Sequence, residues 1–198
     1  MTRSTCSPSS KASLRSALRE RRRRLDPTGQ RAAAKAAAQH IQQLPDWAAL
    51  QHIALYLATD GELDPQPIAD LCRRSGKHLY LPRLAAGKQL QFALWEAGGS
   101  LVNNRYGIAE PDAAAARCPV SALDLMLLPL VGWDRAGNRL GMGGGYYDRT
   151  LAAHRPRWLV GLAHSVQEVA RLPAEPWDIK LDCVVTEQGL VHCTGPSD

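Results

Sequence analysis

No apolar run in the 198-residue sequence approaches the length of a membrane span, so no transmembrane helix is expected. The opening residues, MTRSTCSPSSKAS, lack the apolar stretch of a secretory signal, and none is expected there. Cysteines are few, odd in number and scattered (Cys6, Cys72, Cys118, Cys183, Cys193), and no C-x-x-C occurs. Neither a zinc site nor a disulfide framework follows, and a reducing cytoplasm is the expected location. Aromatic residues make up only 6% of the chain and are not interleaved with its basic segment. No RRM, KH or helix-turn-helix signature is visible, which argues against a nucleic-acid partner. Internal repeats are absent, and low complexity is confined to an arginine run and an Ala-rich helix.

What remains is an ordinary globular composition, 45% hydrophobic and 22% charged, of a length that suits one domain with a substantial core. We expect a disordered lead over residues 1–10 and a single domain over 11–198. The net charge of +5 conceals an asymmetry. Residues 1–35 hold ten Lys/Arg against Glu20 and Asp26, a net +8, which leaves −3 for the rest. An anionic partner at that end is implied, either nucleic acid or a small polyanion.

Leu14, Leu18 and Leu25 share one face of a helix expected from about Lys11 to Leu25, with Lys11, Arg15 and Arg22 just beside it. Lys11 and Arg15 lie one turn apart and point the same way. Arg19, Arg21, Arg23 and Arg24 read as a solvated face. Asp26-Pro27 reads as cap and first residue of a second helix, and Asp64-Pro65 restarts a third. The segments "HIALYLATDGELD", "HLYLP", "LQFALW", "DLMLLPLVGWD", "RWLVGLA" and "LDCVVTEQGLV" read as strands. Strands alternating with helices predict an α/β sheet covered on both faces. Ligands of such sheets bind at the carboxyl ends of strands. Three segments fall there: Asp60-Gly61-Glu62, the glycine loop after "LMLLPLVGWD", and the turn after "LVGLA".

The glycine loop is the densest signal. "RLGMGGGYYDR", residues 139 to 149, puts four glycines in five positions before two tyrosines and an Asp-Arg pair. It is neither a Walker A loop nor a dinucleotide fingerprint. A loop of this kind opening a helix directs several N–H groups at one point, a phosphate cradle. Arg139 adds a cation, and Asp148 beside phosphates calls for a bridging Mg²⁺. A second carboxylate for that ion lies in "EPWDIKLDCVV", where spacing does not choose between Asp178 and Asp182.

Together "KASLR", "YLATDGELD", "YGIAEP", "GWDRAGNRLGMGGGYYDRTL" and "LPAEPWDIKLDCVVTE" resemble the 5-formyltetrahydrofolate cyclo-ligase (5,10-methenyltetrahydrofolate synthetase) family, in order and over almost the whole chain. The resemblance implies a three-layer α/β/α sandwich with a mostly parallel, Rossmann-like sheet. It implies an ATP- and Mg²⁺-dependent ligase, acting as a monomer on 5-formyltetrahydrofolate. By motif match Lys11 and Arg15 bind ATP phosphates, with Arg139, Leu140, Gly141, Met142, Gly143, Gly144, Gly145, Tyr146 and Tyr147 as the ATP loop. Asp148 and Asp178 would hold Mg²⁺, Glu62 would bind the pterin, and Tyr106 and Glu110 would contact the substrate. Some relatives carry basic residues where this chain has Met142 and Gly144, so backbone N–H groups would serve there instead. A catalytically silent relative would be expected to lose Lys11, Arg15, Glu62, Arg139, Asp148 or Asp178. All six are present.

Overall fold

The computed structural model describes residues 10–175 and 177–194. The expected disordered lead therefore lies outside the described residues, apart from Ser10. That serine caps helix α1 (Lys11–Arg23) by accepting the Ser13 amide at its side chain. Helix α2 (Pro27–His40) starts as expected, with the Asp26 carboxylate accepting the Thr28 and Gly29 amides, both at 2.9 Å. Strand β1 (His52–Ala54) and helix α3 (Gln66–Arg74) follow, then strands β2 (His78–Leu84) and β3 (Leu90–Leu94). Two short strands, β4 (Leu101–Asn103) and β5 (Ala109–Pro111), pair separately, and β6 (Arg117–Cys118) adds to the main sheet. The remaining elements are β7 (Leu125–Pro129), the β8 (Gly132–Trp133) and β9 (Arg139–Leu140) hairpin, helix α4 (Tyr146–Leu151), β10 (Trp158–Leu162), β11 (Cys183–Thr186) and β12 (Gly189–His192).

The main sheet runs β12-β11-β10-β7-β1-β2-β3-β6. From β11 to β2 every neighbouring pair is parallel, while β12 and β3 close the two sides antiparallel. The central strands alternate their side chains between two apolar layers. Ile53, Leu79, Leu125, Leu127, Val160 and Val185 face α2 and α3. Ala54, Tyr80, Met126, Leu128, Leu159 and Val184 face Phe92, Trp133, Leu151 of α4 and Leu181. The second outer layer is thus mostly loop and hairpin around one short helix. Among the described residues, no helix is long and apolar enough to cross a membrane.

Two segments differ from their sequence reading. "LDCVVTEQGLV" is a tight antiparallel hairpin, not one strand. "DLMLLPLVGWD" leaves the sheet after Pro129, where proline offers no ladder N–H. That exit frees the Leu130 and Val131 carbonyls to accept bonds from Arg22 and Gln167.

The β8–β9 turn is tied down by Asp134, which is 1% exposed and accepts the amides of Ala136, Asn138 and Leu172. Gly137 in this turn has φ +79°, and a Cβ there would lie 2.7 Å from the Leu181 carbonyl oxygen. Only glycine lets the turn meet the segment leading to β11. Gly137→Ala is expected to cost roughly 1–3 kcal/mol of stability, read as a lowered urea midpoint. An unchanged midpoint would show that this contact has slack.

Candidate active site

The carboxyl ends of β1, β2 and β7 open into a cleft of about 670 Å³. Its walls include Lys11 and Arg15 of α1, Tyr56, Leu57, Thr59 and Glu62 after β1, Pro82 and Leu84 of β2, Pro129 to Val131 at the end of β7, the segment 139–148, and Trp177-Asp178. Asn104, Tyr106 and Ile108, between β4 and β5, close the remaining side. Helix α1 is seated across the end of the sheet by Leu18, which packs with Val131, Leu140 and Leu172.

The charged groups are arranged as opposed pairs. Lys11 Nζ donates to Asp178 Oδ2 at 2.9 Å, and Arg139 Nη2 donates to Asp148 Oδ1. Burial alone would raise the Asp178 pKa, but the Glu175 amide and Lys11 outweigh it and hold the carboxyl below its ordinary range. Arg139 is 6% exposed at its side chain, and its Nε has no partner. Arg15 Nε donates to the Gly141 carbonyl at 2.8 Å, so α1 braces the glycine loop directly.

The loop is open and glycine-bound by necessity. Gly145 has φ +69°, and a Cβ there would sit 2.8 Å from Arg149 Nη1, which bonds the Gly144 carbonyl. The expected helix after the loop is only six residues long. Its macrodipole is correspondingly slight, so the loop amides and the flanking cations must supply the positive field. Tyr146 and Tyr106 share a hydroxyl bond of 2.8 Å across the mouth, edge to face, and Arg105 donates to the Tyr146 hydroxyl. Those two contacts hold the Tyr146 phenol below its ordinary pKa. Among the described residues Trp177, Tyr106 and Met142 are the most exposed large apolar side chains, and all three line this cleft.

Glu62 is 9% exposed at its side chain. Its Oε2 accepts the Thr59 amide at 3.0 Å and the Thr59 hydroxyl at 3.3 Å. Burial raises its pKa above the usual 4.5, against the Thr59 amide and Arg22, which lower it.

Every residue expected at the site lines the cleft except Glu110. Glu110 instead lies buried between β2 and β5, where its carboxylate accepts the Leu84 amide and the Asn104 side-chain amide, both at 3.1 Å. It holds two wall residues in place. Asp182 is also away from the cleft, pairing with Arg155 and accepting the Leu159 amide. The turn after β10 does not reach the cleft either. It packs beneath α1, with Gln167 and His164 buried.

The arginine run departs further from its sequence reading. Arg22 is fully buried, while Arg19 and the half-exposed Arg23 are paired rather than free. All three bond Asp60, at 2.8 Å from Arg19 Nε and Arg22 Nη2 and 2.6 Å from Arg23 Nε. Burial would raise the Asp60 pKa, but these three guanidinium groups bring it down to about 2. A depressed carboxylate stabilises the fold fully above its unfolded pKa near 4, and that stabilisation is lost as pH falls through about 2. Asp60→Asn is expected to cost about 1–2 kcal/mol at neutral pH, allowing for solvent screening, with a smaller difference from wild type at pH 2.5. Thermal melts at both pH values check this; an equal deficit at both would reject the ionic origin.

The model of the 5-formyltetrahydrofolate cyclo-ligase family matches residues 7–187. The chain belongs to that family. It is 43% identical over 175 residues to the 5-formyltetrahydrofolate cyclo-ligase of Escherichia coli strain K12, covering 85% of this chain and 96% of that protein. Identity to the Haemophilus influenzae protein of the same name is 35%, over 85% and 92% of the two chains. The solution structure of Aquifex aeolicus 5,10-methenyltetrahydrofolate synthetase superposes with a TM-score of 0.82 at 30% identity, over 95% of each chain. This cyclo-ligase family enzyme therefore has the mixed, mostly parallel sheet expected of it. The sequence put Arg22 beside the apolar face and Asp60 at a strand end but did not show that they pair, and it gave no sign of the buried Asp134, because burial of a charge leaves no periodic mark.

Among the described residues, no cluster of three or more His, Cys, Asp or Glu side chains could cage a metal ion. Two carboxylates lining one cleft, Asp148 and Asp178, fit Mg²⁺, which binds through one or two carboxylates and takes its other ligands from phosphates and water.

Proposed function

We propose that the protein converts 5-formyltetrahydrofolate to 5,10-methenyltetrahydrofolate, consuming ATP in the presence of Mg²⁺ and releasing ADP and phosphate. The observation that carries this reading is the single cleft in which the cations, the glycine loop, both aspartates and Glu62 meet. The exposed apolar ring of Tyr106, Met142 and Trp177 supports it, since such a rim suits a flat heteroaromatic ligand. We take the enzyme to be cytoplasmic and monomeric.

A formamide is a weak electrophile because its oxygen is a poor leaving group. The reading has that oxygen attack the γ-phosphorus of ATP, expelling ADP and leaving an imidate phosphate at N5. N10 then attacks the activated carbon, phosphate leaves, and N10 gives up its proton to yield the amidinium of the product. Lys11, Arg15 and Arg139 would hold the phosphate oxygens, with amides of 141–145 completing the cradle. Asp148 and Asp178 would hold Mg²⁺, which supplies neutralisation of the transferring phosphoryl charge. Glu62 would accept the pterin's N–H donors and fix N5 and N10 for an intramolecular closure. No protein nucleophile is required, and none of the four described cysteines lines the cleft.

A nucleic-acid reading of the basic segment is weakened by Asp60, which draws Arg19, Arg22 and Arg23 away from any outside polyanion. The deciding assay mixes protein, 5-formyltetrahydrofolate, ATP and Mg²⁺ and follows the absorbance of the methenyl product. It should rise only when all are present. No rise with folded protein overturns the proposal.

A further inference from the structure

Arg22 is a whole guanidinium taken out of water, 0% exposed, in a helix whose other inward residue is Leu18. Burying such a group costs several kcal/mol unless each donor is matched. Its matches converge on one region. Nε donates to the Asp60 carbonyl at 2.9 Å, Nη2 to Asp60 Oδ2 at 2.8 Å, and Nη1 to the Leu130 carbonyl at 3.0 Å. Nη1 also lies 3.9 Å from Glu62 Oε1, making Arg22 the only cation within ion-pair distance of Glu62 among the described residues. Thr59 hydrogen-bonds the other carboxylate oxygen, so Glu62 is bonded on one side and faces the Arg22 charge on the other. The loop between them is tight: Asp60 and Gly61 both have left-handed backbone, at φ +54° and +74°. A Cβ on Gly61 would touch both the Arg22 carbonyl and its Cγ, so the helix and this loop are in direct contact. The planar fork is what lets one side chain reach Asp60, Leu130 and Glu62 together, which a lysine cannot do.

We propose that Arg22 is a positioning residue for the folate end of the cleft, fixing the Glu62 carboxylate and tying it to the helix that carries Lys11 and Arg15. The inference rests on the reading that Glu62 takes the pterin donors. It assigns Arg22 no contact with either substrate. Loss of the fork frees Glu62 Oε1 to swing, which weakens folate binding and leaves the phosphate cradle intact. Asp60 keeps Arg19 and Arg23 as partners when Arg22 is replaced, so the loop retains its main anchor.

The test is a double-mutant cycle on the full-length enzyme, with Arg22→Met and Glu62→Gln singly and together, and Arg22→Lys as a second arm. Arg22→Met should raise the folate KM about tenfold, with the ATP KM within about twofold of wild type, and should add nothing further in the Glu62→Gln background. Arg22→Lys should give a smaller rise, because it keeps the charge and loses the fork. Where melting shows that Arg22→Met is not folded, Arg22→Lys carries the same cycle. Equal fold-changes in the wild-type and Glu62→Gln backgrounds would overturn the inference, as would an ATP KM that rises with the folate KM. If Glu62→Gln alone leaves the folate KM unchanged, it is the assignment of Glu62 that fails, and the inference falls with it.

Discussion

Asp148→Asn is expected to lower turnover on the order of 10²–10³-fold, the usual effect of deleting one preorganised charge from a phosphoryl-transfer site. The substitution preserves shape and removes the negative charge from a side chain that lines the cleft and pairs with Arg139. Two consequences separate. The Arg139 guanidinium, nearly inaccessible at 6%, loses its counter-ion and becomes a freer phosphate partner. Nucleotide binding without Mg²⁺ should then hold steady or tighten. The Mg²⁺ dependence should instead shift to higher concentration, because one of the two proposed carboxylate ligands is gone. Steady-state rates over a Mg²⁺ titration, with nucleotide binding measured separately by calorimetry, read both. Near-normal turnover at low Mg²⁺ would remove Asp148 from the metal site. Thermal stability should fall modestly, because the nearly buried Arg139 loses its charged partner while the half-exposed 148 position keeps an amide acceptor.

Glu62→Gln should act on the other substrate. A neutral amide cannot pair with a row of N–H donors as a carboxylate does, and a folate KM raised about 10- to 100-fold is expected, with the ATP KM nearly unchanged. A pH signature accompanies it. Because burial raises the Glu62 pKa above 4.5, the carboxylate form is lost at a higher pH than for an exposed glutamate. Folate affinity should therefore fall as pH is lowered through that raised value, and recover above it. Asp60, held at about 2, stays ionised throughout and contributes nothing to this slope. Folate KM against pH for wild type and Glu62→Gln checks the assignment: the acid-side rise should vanish in the mutant. A rise that persists belongs to another group.

The elements that sequence reading placed well are those with a local cause. Asp26-Pro27 capped a helix where expected, and the apolar runs of β7, β10 and β11 became the buried parallel strands. The glycine loop, Arg139 and Asp148 declared themselves because their spacing is short and their chemistry has few other uses. Lys11 and Arg15 were legible from helical spacing beside an apolar stripe. Asp178 against Asp182 was not, since the choice depends on which one faces α1 across 167 positions of sequence. The helical wheel set Arg22 beside the apolar face and its neighbours on a solvated one, but did not show that Arg22 is wholly buried or that Arg19 and Arg23 are drawn onto Asp60. The partner that sorts them lies in a loop beyond α2 and β1. Glu110 carried the right motif, but the pairing of β4 with β5 turned its carboxylate toward Leu84 and Asn104.

The contact between Lys11 and Asp178 also dates the cleft within the life of the chain. The two ends of the ion pair lie 167 positions apart, so one is synthesised long before the other. The Arg15 bond to the Gly141 carbonyl spans 126 positions and waits nearly as long. A nascent chain that has already folded α1, α2 and the first strands still has nothing opposite Lys11 and Arg15. Closing so long a loop costs entropy that only the finished sheet can repay. A partly made chain with a stabilised α1 thus carries Lys11 and Arg15 without the groups that face them, until the segments around Gly141 and Asp178 fold back across that helix.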